Sequence, residues 1–503
     1  MGDTSCYSRP QAYNQSGEAV SEFEILAIVI VGIIVCLLNW RTGIYVCLIA
    51  GFLQDTFRKL VPGEPVYFTV LVGLFVIVTC LSAYKRGVRL NLRPIHAWNN
   101  ALRRPLALFV LLVLIQSLVA VIKTGNLVIA GIGLLAYLTP LPAILLGYRF
   151  GKNEKEILKF AKIYLAISFL MVTGIYLSYA GYDWPALRSV GAGLIAFSPS
   201  GEKLTLYSGF LRSPEIAAWH AATAMCMVFL LLLVRRRQGI FLWMSGTLIL
   251  ILAGALMLTG RRKFLVEIFL FLSIYVLLLM WFRKSAVKSA LVLSIVIATA
   301  FIAFVYLSPP EVNKGLGSYY ERSASVQRDV PERMSLMTVE SFQYVIAQNG
   351  VLGSGAGTGS QGAQHYGGGS DIVGLAAEGG LAKVLAELGI PGLILLLWLG
   401  VSMVRYVWSI LVYIKDKNQL HAKLAYGLLA FLMSNAFVYV VAHQVFGDVF
   451  VLLILGFHLG FVMAVPRMQQ AEALAPHLDA IYPQQQIIER PLPGVAGGQS
   501  SQV

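Results

Sequence analysis

Charged residues are scarce in this sequence. Only 13% of the 503 residues are Asp, Glu, Lys or Arg, whereas 57% are hydrophobic and the mean hydropathy is +0.73. Soluble globular chains carry about 25% charged and about 45–50% apolar residues. A soluble domain cannot bury so much apolar surface, so the composition indicates a membrane protein.

Cysteine is also rare, with five residues in the chain. Cys36, Cys47, Cys80 and Cys226 lie within apolar runs, where cysteine behaves as a small hydrophobic residue. Neither a disulfide framework nor a metal site is indicated, and we expect no cofactor. We also expect no cleavable signal peptide, because a polar, mixed-charge segment at 1–22 precedes the first apolar run. We therefore expect the first span to remain in the mature protein.

Long apolar runs, by contrast, are abundant. About 20 helical residues cross a hydrocarbon core of about 30 Å. Helices are predicted because lipid cannot satisfy backbone polar groups, and continuous rather than alternating hydrophobicity excludes barrel strands. The sequence thus predicts an all-α polytopic integral membrane protein with about 12–14 transmembrane helices. The predicted spans are roughly 23–40, 43–56, 66–84, 105–122, 126–148, 157–179, 216–234, 239–259, 264–282, 286–308, 381–412, 423–442 and 449–466.

The distribution of lysine and arginine predicts how the spans are oriented. Short cytoplasmic loops collect these residues, and the connection between the third and fourth spans is the strongest cytoplasmic signal in the chain. Its basic residues are Lys85, Arg86, Arg89, Arg93, Arg103 and Arg104. Alternation from this loop places later basic clusters inside as well, except Arg261 to Lys263, which fall outside. Three cations there call for a local anionic partner.

The same alternation predicts the domain organisation. Transmembrane helices occupy 23–308, with a smaller periplasmic loop near 180–215. A large periplasmic loop follows at 309–380, and further transmembrane helices occupy 381–466. Within the large loop, apolar spacing favours a helix around Arg333 to Ala347, and a glycine-rich stretch follows it. The tail at 467–503 is rich in Gln, Pro, Ala and Gly and is predicted to be a disordered cytoplasmic segment.

Charged residues beside transmembrane segments are expensive and mark candidate functional sites. The candidates on the predicted periplasmic face are Arg212, Glu215, His220, Arg261, Arg262, Arg328, Arg333, His365 and Glu378. Gathered arginines suit a phosphate or diphosphate, because the guanidinium donates bidentate hydrogen bonds and keeps its charge. Glu378, at the membrane boundary, can act as a general base on a hydroxyl.

Each candidate also has a structural alternative. The basic residues at 261–263 can extend to lipid headgroups, and Glu378 can be a helix-start carboxylate favoured by the macrodipole. His220 is more often a packed histidine than a catalyst, and His365 can be a solvated loop residue. The glycine run at 353–359 has the composition of a phosphate loop, but it has neither the GKS or GKT sequence nor a preceding strand.

Four stretches carry a resemblance to a known family. They are the arginine-bearing stretch Glu332-Arg-Met, the run Asn349-Gly-Val-Leu-Gly-Ser-Gly-Ala-Gly-Thr-Gly, the stretch Leu385-Ala-Glu-Leu-Gly-Ile-Pro-Gly, and Thr259-Gly-Arg-Arg. Together they resemble the O-antigen ligase and Wzy-type polysaccharide polymerase superfamily of bacterial envelopes. The resemblance covers roughly 200–400 at motif level and the whole chain at topology level. In many family members a His-Asn pair precedes the glycine of the third stretch, and Glu378 and Gly379 hold those positions here.

The resemblance implies a GT-C-like fold and a metal-independent, inverting glycosyltransferase in the bacterial inner membrane, with its active site facing the periplasm. Its donor would be an undecaprenyl-diphosphate-linked oligosaccharide. Glu378 and Arg333 would be catalytic, with Glu378 taking the proton of the acceptor hydroxyl. Arg212, Arg261, Arg262 and Arg328 would bind the diphosphate.

The resemblance also implies the partners of the protein. They are the lipid-linked oligosaccharide, membrane lipids, and a chain-length regulator or an export partner. No nucleic acid is expected despite the net charge of +14, because the basic residues occupy short loops rather than one amphipathic face.

Other functions remain open on the sequence alone. Polymerase and ligase differ only in the acceptor, and we favour the polymerase. A transporter or flippase of lipid-linked glycan would also use intramembrane charge, but the sequence has no convincing internal repeat of the kind common in transporters.

Overall fold

The computed structural model describes residues 22–90, 102–190, 194–199, 201–234, 239–283, 314–324, 341–360, 379–441 and 443–481, with a few single positions between them. Within these ranges the chain is almost entirely helical. Ten helices in the described part of the chain are long and apolar enough to cross a membrane. The prediction of an all-α polytopic protein is therefore confirmed at this level, whereas the predicted span at 286–308 lies mostly outside the described residues.

The described residues of the first half of the bundle form eight α-helices. They are α1 (Glu22–Leu38), α2 (Trp40–Leu60), α3 (Leu71–Lys85), α4 (Arg103–Thr124), α5 (Leu127–Leu138), α6 (Pro140–Phe150), α7 (Glu154–Tyr179) and α8 (Pro214–Val234). The predicted short span 43–56 lies in α2, which is not among the ten apolar helices. The span predicted at 126–148 is α5 and α6, which meet at Pro140, a residue suited to the first turn of a helix.

In the second half, seven α-helices lie within the described ranges. They are α9 (Gly239–Leu258), α10 (Lys263–Phe282), α11 (Lys314–Ala324), α12 (Ser341–Asn349), α13 (Gly380–Ile414), α14 (Gln419–Val441) and α15 (Val449–Ile481). A two-stranded antiparallel hairpin, β1 (Ile195–Phe197) and β2 (Lys203–Thr205), precedes α8. The helix predicted around 333–347 overlaps α12, and its residues 333–340 lie outside the described part.

Two helices form the centre of the packing. Almost every residue of α8 is buried, and α15 is similarly enclosed as far as Met468. A helix that is apolar on all sides is expected at such a central position. The helix α15 continues to Ile481, past residue 467 where the sequence analysis began the disordered tail. Residues 482–503 lie outside the described part.

The contacts between helix ends fall into two groups. At one end, Arg212 pairs with Asp55 and Asp448. At the other, Arg41 pairs with Glu156, and Arg467 donates to the carbonyl of Gly151. The first end also receives the hairpin and α11, and we call it the loop end; the second is the basic end. The hairpin and α11, which are described parts of the 180–215 and 309–380 connections, therefore lie at the same end.

Candidate functional site

Arg212 connects three separate segments at the loop end. Its guanidinium pairs with Asp55 at 3.2 Å and with Asp448 at 2.5 Å, and its backbone N–H donates to Asp55. Both carboxylates are almost fully buried, whereas the Arg212 side chain is 20% exposed. Burial alone would lower the pKa of Arg212, but Asp448 and Asp55 raise it above its ordinary value, so the guanidinium stays a cation.

This arrangement changes the role assigned to Arg212 from the sequence. Asp448 also accepts backbone hydrogen bonds from Phe450 and Val451 at the start of α15, as an N-cap residue does. Lys59 donates to the carbonyls of Gly209 and Leu211 at 2.7 Å, which fixes the chain just before Arg212. Arg212 is thus engaged by two buried carboxylates, and its first role is to hold α2, α8 and α15 together.

The cations at 261–263 have the anionic partner that the sequence analysis called for. Glu215, in the first turn of α8, pairs with Arg261 at 3.0 Å and with Lys263. Lys263 also donates to the side chain of Gln444 at 3.1 Å. Arg262 lies between the two cations at the start of α10 and is half-buried. The carboxylate of Glu215 therefore pairs with two of these three adjacent cations.

The large loop contacts this cluster through α11. Arg322 donates to the carbonyl of Gly260 at 3.2 Å and to that of Phe197 in the hairpin at 2.6 Å. Gly260 has a φ of +64°, a left-handed conformation that lets the chain turn tightly between α9 and α10. The Thr-Gly-Arg-Arg motif is therefore a turn that presents its arginines where the large loop docks. We call Glu215, Arg261, Arg262, Lys263 and Arg322 the cationic cluster.

His220 is a packed residue rather than a pore-lining one. It is 1% exposed and lies among the rings of Phe52, Trp219 and Phe450, with centroid distances of 4.6, 5.0 and 5.1 Å. Its Nδ1 is 2.8 Å from the Tyr164 hydroxyl. His220 follows Glu215 along α8, so it lies deeper in the apolar core than the cationic cluster does.

The glycine run is part of the packed bundle. All residues from Gly353 to Ser360, which were predicted to belong to the large periplasmic loop, are buried. Lys123 donates to the Gly353 carbonyl at 3.0 Å, and Gln116, two turns deeper in α4, donates to the Leu352 carbonyl at 2.8 Å. Two turns span about 10 Å, so the run enters the bundle to that depth. We call residues 351–360 the re-entrant loop.

The re-entrant loop and a break in α13 exchange hydrogen bonds. Gly389 in α13 is non-helical, and the Ile390 N–H donates to the Val351 carbonyl instead of to its own helix. The Ala386 carbonyl is thereby free and accepts from the N–H of Ser354 at 2.8 Å.

Pro391 has no N–H and cannot donate the helical hydrogen bond to the Glu387 carbonyl. That carbonyl instead accepts a hydrogen bond from the Gly355 N–H at 3.1 Å. Irregular backbone at membrane depth must be satisfied by protein, and each of these two motifs satisfies the other.

Glu387 anchors the centre of the re-entrant loop. Its side chain is fully buried and accepts from the Gly359 N–H at 2.9 Å and from the Tyr137 hydroxyl at 2.7 Å. Lys383 lies one turn earlier, with its Nζ 4.0 Å from the carboxylate. The amides of Ser354, Gly355, Ala356 and Gly359 all donate to protein acceptors. Because these N–H groups already donate hydrogen bonds within the protein, they are not available to a phosphate. This argues against the phosphate-loop interpretation.

Some predicted residues cannot be placed, and some important ones were not predicted. Glu378, Arg333, Arg328 and His365 lie outside the described residues. Among the described residues, Asp55, Asp448, Glu267, Lys383 and Glu387 are buried charges or acids that the sequence analysis did not select. The rule that selected Arg212 would have found them, because each lies within or beside an apolar run.

The chain was also compared with known proteins. No family model matches it, and no curated protein matches it. The resemblance to the ligase and polymerase superfamily therefore stays a prediction based on motifs, and its functional consequences are proposals.

Proposed function

We propose that this protein is a membrane-embedded, metal-independent glycosyltransferase. It polymerises undecaprenyl-diphosphate-linked oligosaccharide repeat units at the periplasmic face of the bacterial inner membrane. The observation that supports this most is the cationic cluster, where Glu215 of α8 pairs with Arg261 and Lys263 and where Arg322 of the large loop donates to the Gly260 carbonyl. Arg261 and Lys263 remain 25% and 21% exposed, so an anion can reach them.

The chemistry of the cluster fits a diphosphate leaving group. Guanidinium groups donate paired hydrogen bonds to phosphate oxygens and stay charged throughout a reaction. A fixed positive charge stabilises a leaving group most when negative charge develops on it in the transition state. The cluster also lies at the ends of the helices, where the headgroup of a lipid-linked donor would be found.

The proposed reaction is a direct displacement. The acceptor hydroxyl oxygen forms a bond to the anomeric carbon of the donor, the bond from that carbon to the diphosphate oxygen breaks, and the configuration inverts. The hydroxyl proton passes to Glu378, and Arg333 with the cationic cluster stabilises the departing diphosphate. The roles of Glu378 and Arg333 rest on the resemblance of their sequence positions to the family's motifs.

The test is a glycan analysis of cells that lack the protein, complemented with variants. Loss of the protein should cause single lipid-linked repeats to accumulate, and wild type should restore the polymer. Arg261→Ala and Glu378→Gln should fail to restore it. The control is Arg283→Ala, which removes an arginine of the basic end that donates to the Lys417 carbonyl, and it should restore the polymer. An unchanged glycan profile in the deletion strain would refute the proposal.

A second candidate is a transporter or flippase of lipid-linked glycan, and one observation favours it. Glu267 and Glu387 are fully buried within apolar helices, and intramembrane carboxyl groups are common in proton-coupled transporters. The break in α13 beside the re-entrant loop is also of a kind found in transporters. Accumulation of lipid-linked repeats on the cytoplasmic leaflet alone would favour this function over polymerisation.

A further inference from the structure

A group of buried polar side chains lies in the core of the bundle beneath the cationic cluster. At its centre is the Tyr164 hydroxyl, which is 2.8 Å from His220 Nδ1 and faces the hydroxyls of Ser168 and Thr223. Glu267, in the second turn of α10, is close enough to interact electrostatically with this hydroxyl. These side chains come from three different helices, so the tertiary fold creates the group.

Glu267 is the acidic member of the group. It is completely buried, and the Asn435 side-chain amide donates to its Oε1 at 2.8 Å. Its other oxygen, Oε2, has no hydrogen-bond partner. Among the residues that the structure describes, no cation lies within ion-pair distance of it. Lys263, one turn earlier on α10, is engaged by Glu215.

The orientation of the Asn435 amide is determined by its neighbours. The Trp219 indole N–H donates to Asn435 Oδ1 at 2.7 Å, and an indole N–H can only donate. The Asn435 amide nitrogen must therefore face Glu267 and the Phe431 carbonyl, which it contacts at 3.0 Å. Glu267 Oε1 is consequently the acceptor in its one hydrogen bond.

A neutral carboxylic acid fits this environment better than a carboxylate does. An ionised carboxylate offers about four acceptor positions, and a buried charge requires partners for them. Glu267 has one neutral donor. In the acid form, Oε1 is the carbonyl oxygen that accepts from Asn435, and Oε2 carries the proton, which agrees with the lack of a donor to Oε2.

We propose that Glu267 is an intramembrane proton-binding site that holds its proton at neutral pH. The groups that face it are Cys226 from α8, Tyr164 from α7 and Asn435 from α14, and none of them supplies a positive charge. The site does not depend on the proposed glycosyltransferase activity, and it gives the core of the bundle a group that responds to protons.

Glu387 provides a matched comparison within the same chain. It is equally buried, but it accepts two hydrogen bonds, from Tyr137 and Gly359, and Lys383 lies 4.0 Å away. These partners suit an ionised carboxylate. The two intramembrane glutamates should therefore be in opposite protonation states.

Infrared difference spectroscopy of the purified full-length protein tests this. The C=O stretch of a carboxylic acid is separate from the amide and carboxylate bands, and exposed Asp and Glu, with pKa values of about 4, are ionised at about pH 7.5. Subtracting the Glu267→Gln spectrum from that of wild type should leave a carboxylic acid band. Subtracting the Glu387→Gln spectrum should leave only carboxylate bands.

Two results decide against the proposal. If the Glu267→Gln difference shows carboxylate bands instead, the side chain is ionised, and a sodium-dependent change in those bands would make it a cation site. The Asn435→Ala variant gives a second test that keeps Glu267. Loss of the hydrogen bond to Oε1 should move the acid band to higher frequency, and the absence of any change in that band would overturn the proposal.

Discussion

The exchange of hydrogen bonds between the re-entrant loop and α13 leads to a sharp prediction about Gly389. This residue has a φ of +69° within a long helix, and a Cβ atom there would lie against the backbone of Val351 and Leu352 at less than van der Waals distance. Neither neighbour can move without breaking the hydrogen bond from Ile390 to the Val351 carbonyl. Gly389→Ala should therefore destabilise the packing of the re-entrant loop.

The loss of stability caused by Gly389→Ala is the sum of two free-energy costs. A left-handed conformation costs a residue other than glycine about 1–2 kcal/mol. Forcing extra volume into a well-packed core costs about 1–3 kcal/mol more. We expect Gly389→Ala to reduce the free energy of unfolding by about 2–5 kcal/mol, which is roughly a 30-fold to 5,000-fold change in the unfolding equilibrium.

The assay is detergent-induced unfolding of the purified protein, followed by tryptophan fluorescence. Gly400→Ala is the control, because Gly400 lies in the same helix, has an ordinary helical φ and has open space at the position of a Cβ. It should be neutral or slightly stabilising, since alanine favours helix more than glycine does. Equal unfolding curves for the two variants would refute the account of the re-entrant loop.

Three further substitutions test the ion pairs of Arg212 and the hydrogen bonds of Glu387. Arg212→Ala leaves Asp55 and Asp448 buried without their cation and should cost about 3–5 kcal/mol in thermal unfolding. Arg212→Lys should recover only part of that loss, because an ammonium group cannot bridge both carboxylates as a guanidinium does. Tyr137→Phe removes one donor to the Glu387 carboxylate and should cost about 1–3 kcal/mol, and a stability equal to that of wild type would show that the hydroxyl is dispensable.

The sequence predicted the membrane helices well because their signal is local. A continuous apolar run determines both the solvent and the secondary structure of its residues. The anionic partner of the cations at 261–263 could also be anticipated, since three cations at a span boundary need compensation. Glu215 provides it from α8.

The re-entrant loop could not be predicted in the same way. Gly353 to Gly359 are typical of a loop, but Gly389 and Pro391 lie within the span predicted as continuous at 381–412, and the structure breaks the helix there. That the two motifs satisfy each other's backbone groups depends on contacts between segments far apart in the chain. No periodicity within either motif indicates this pairing.

The buried acids were missed for a different reason. The predicted functional residues lie on one face of the membrane, where charges gather near the ends of spans. Glu267 and Glu387 lie inside apolar runs. The mean hydropathy of such a run stays high even when it contains one carboxyl group. Their partners, Asn435 and Tyr137, come from other helices, so the protonation of each acid is a property of the tertiary structure.

Reconstitution tests the central proposal most directly. Lipid-linked saccharides extracted from cells that lack the protein would be incubated with purified protein in liposomes, and the products separated by size. The account predicts a ladder of longer lipid-linked chains with wild type and little elongation with Arg261→Ala. Saccharides that stay at single-repeat length with correctly folded wild-type protein would contradict the polymerase proposal.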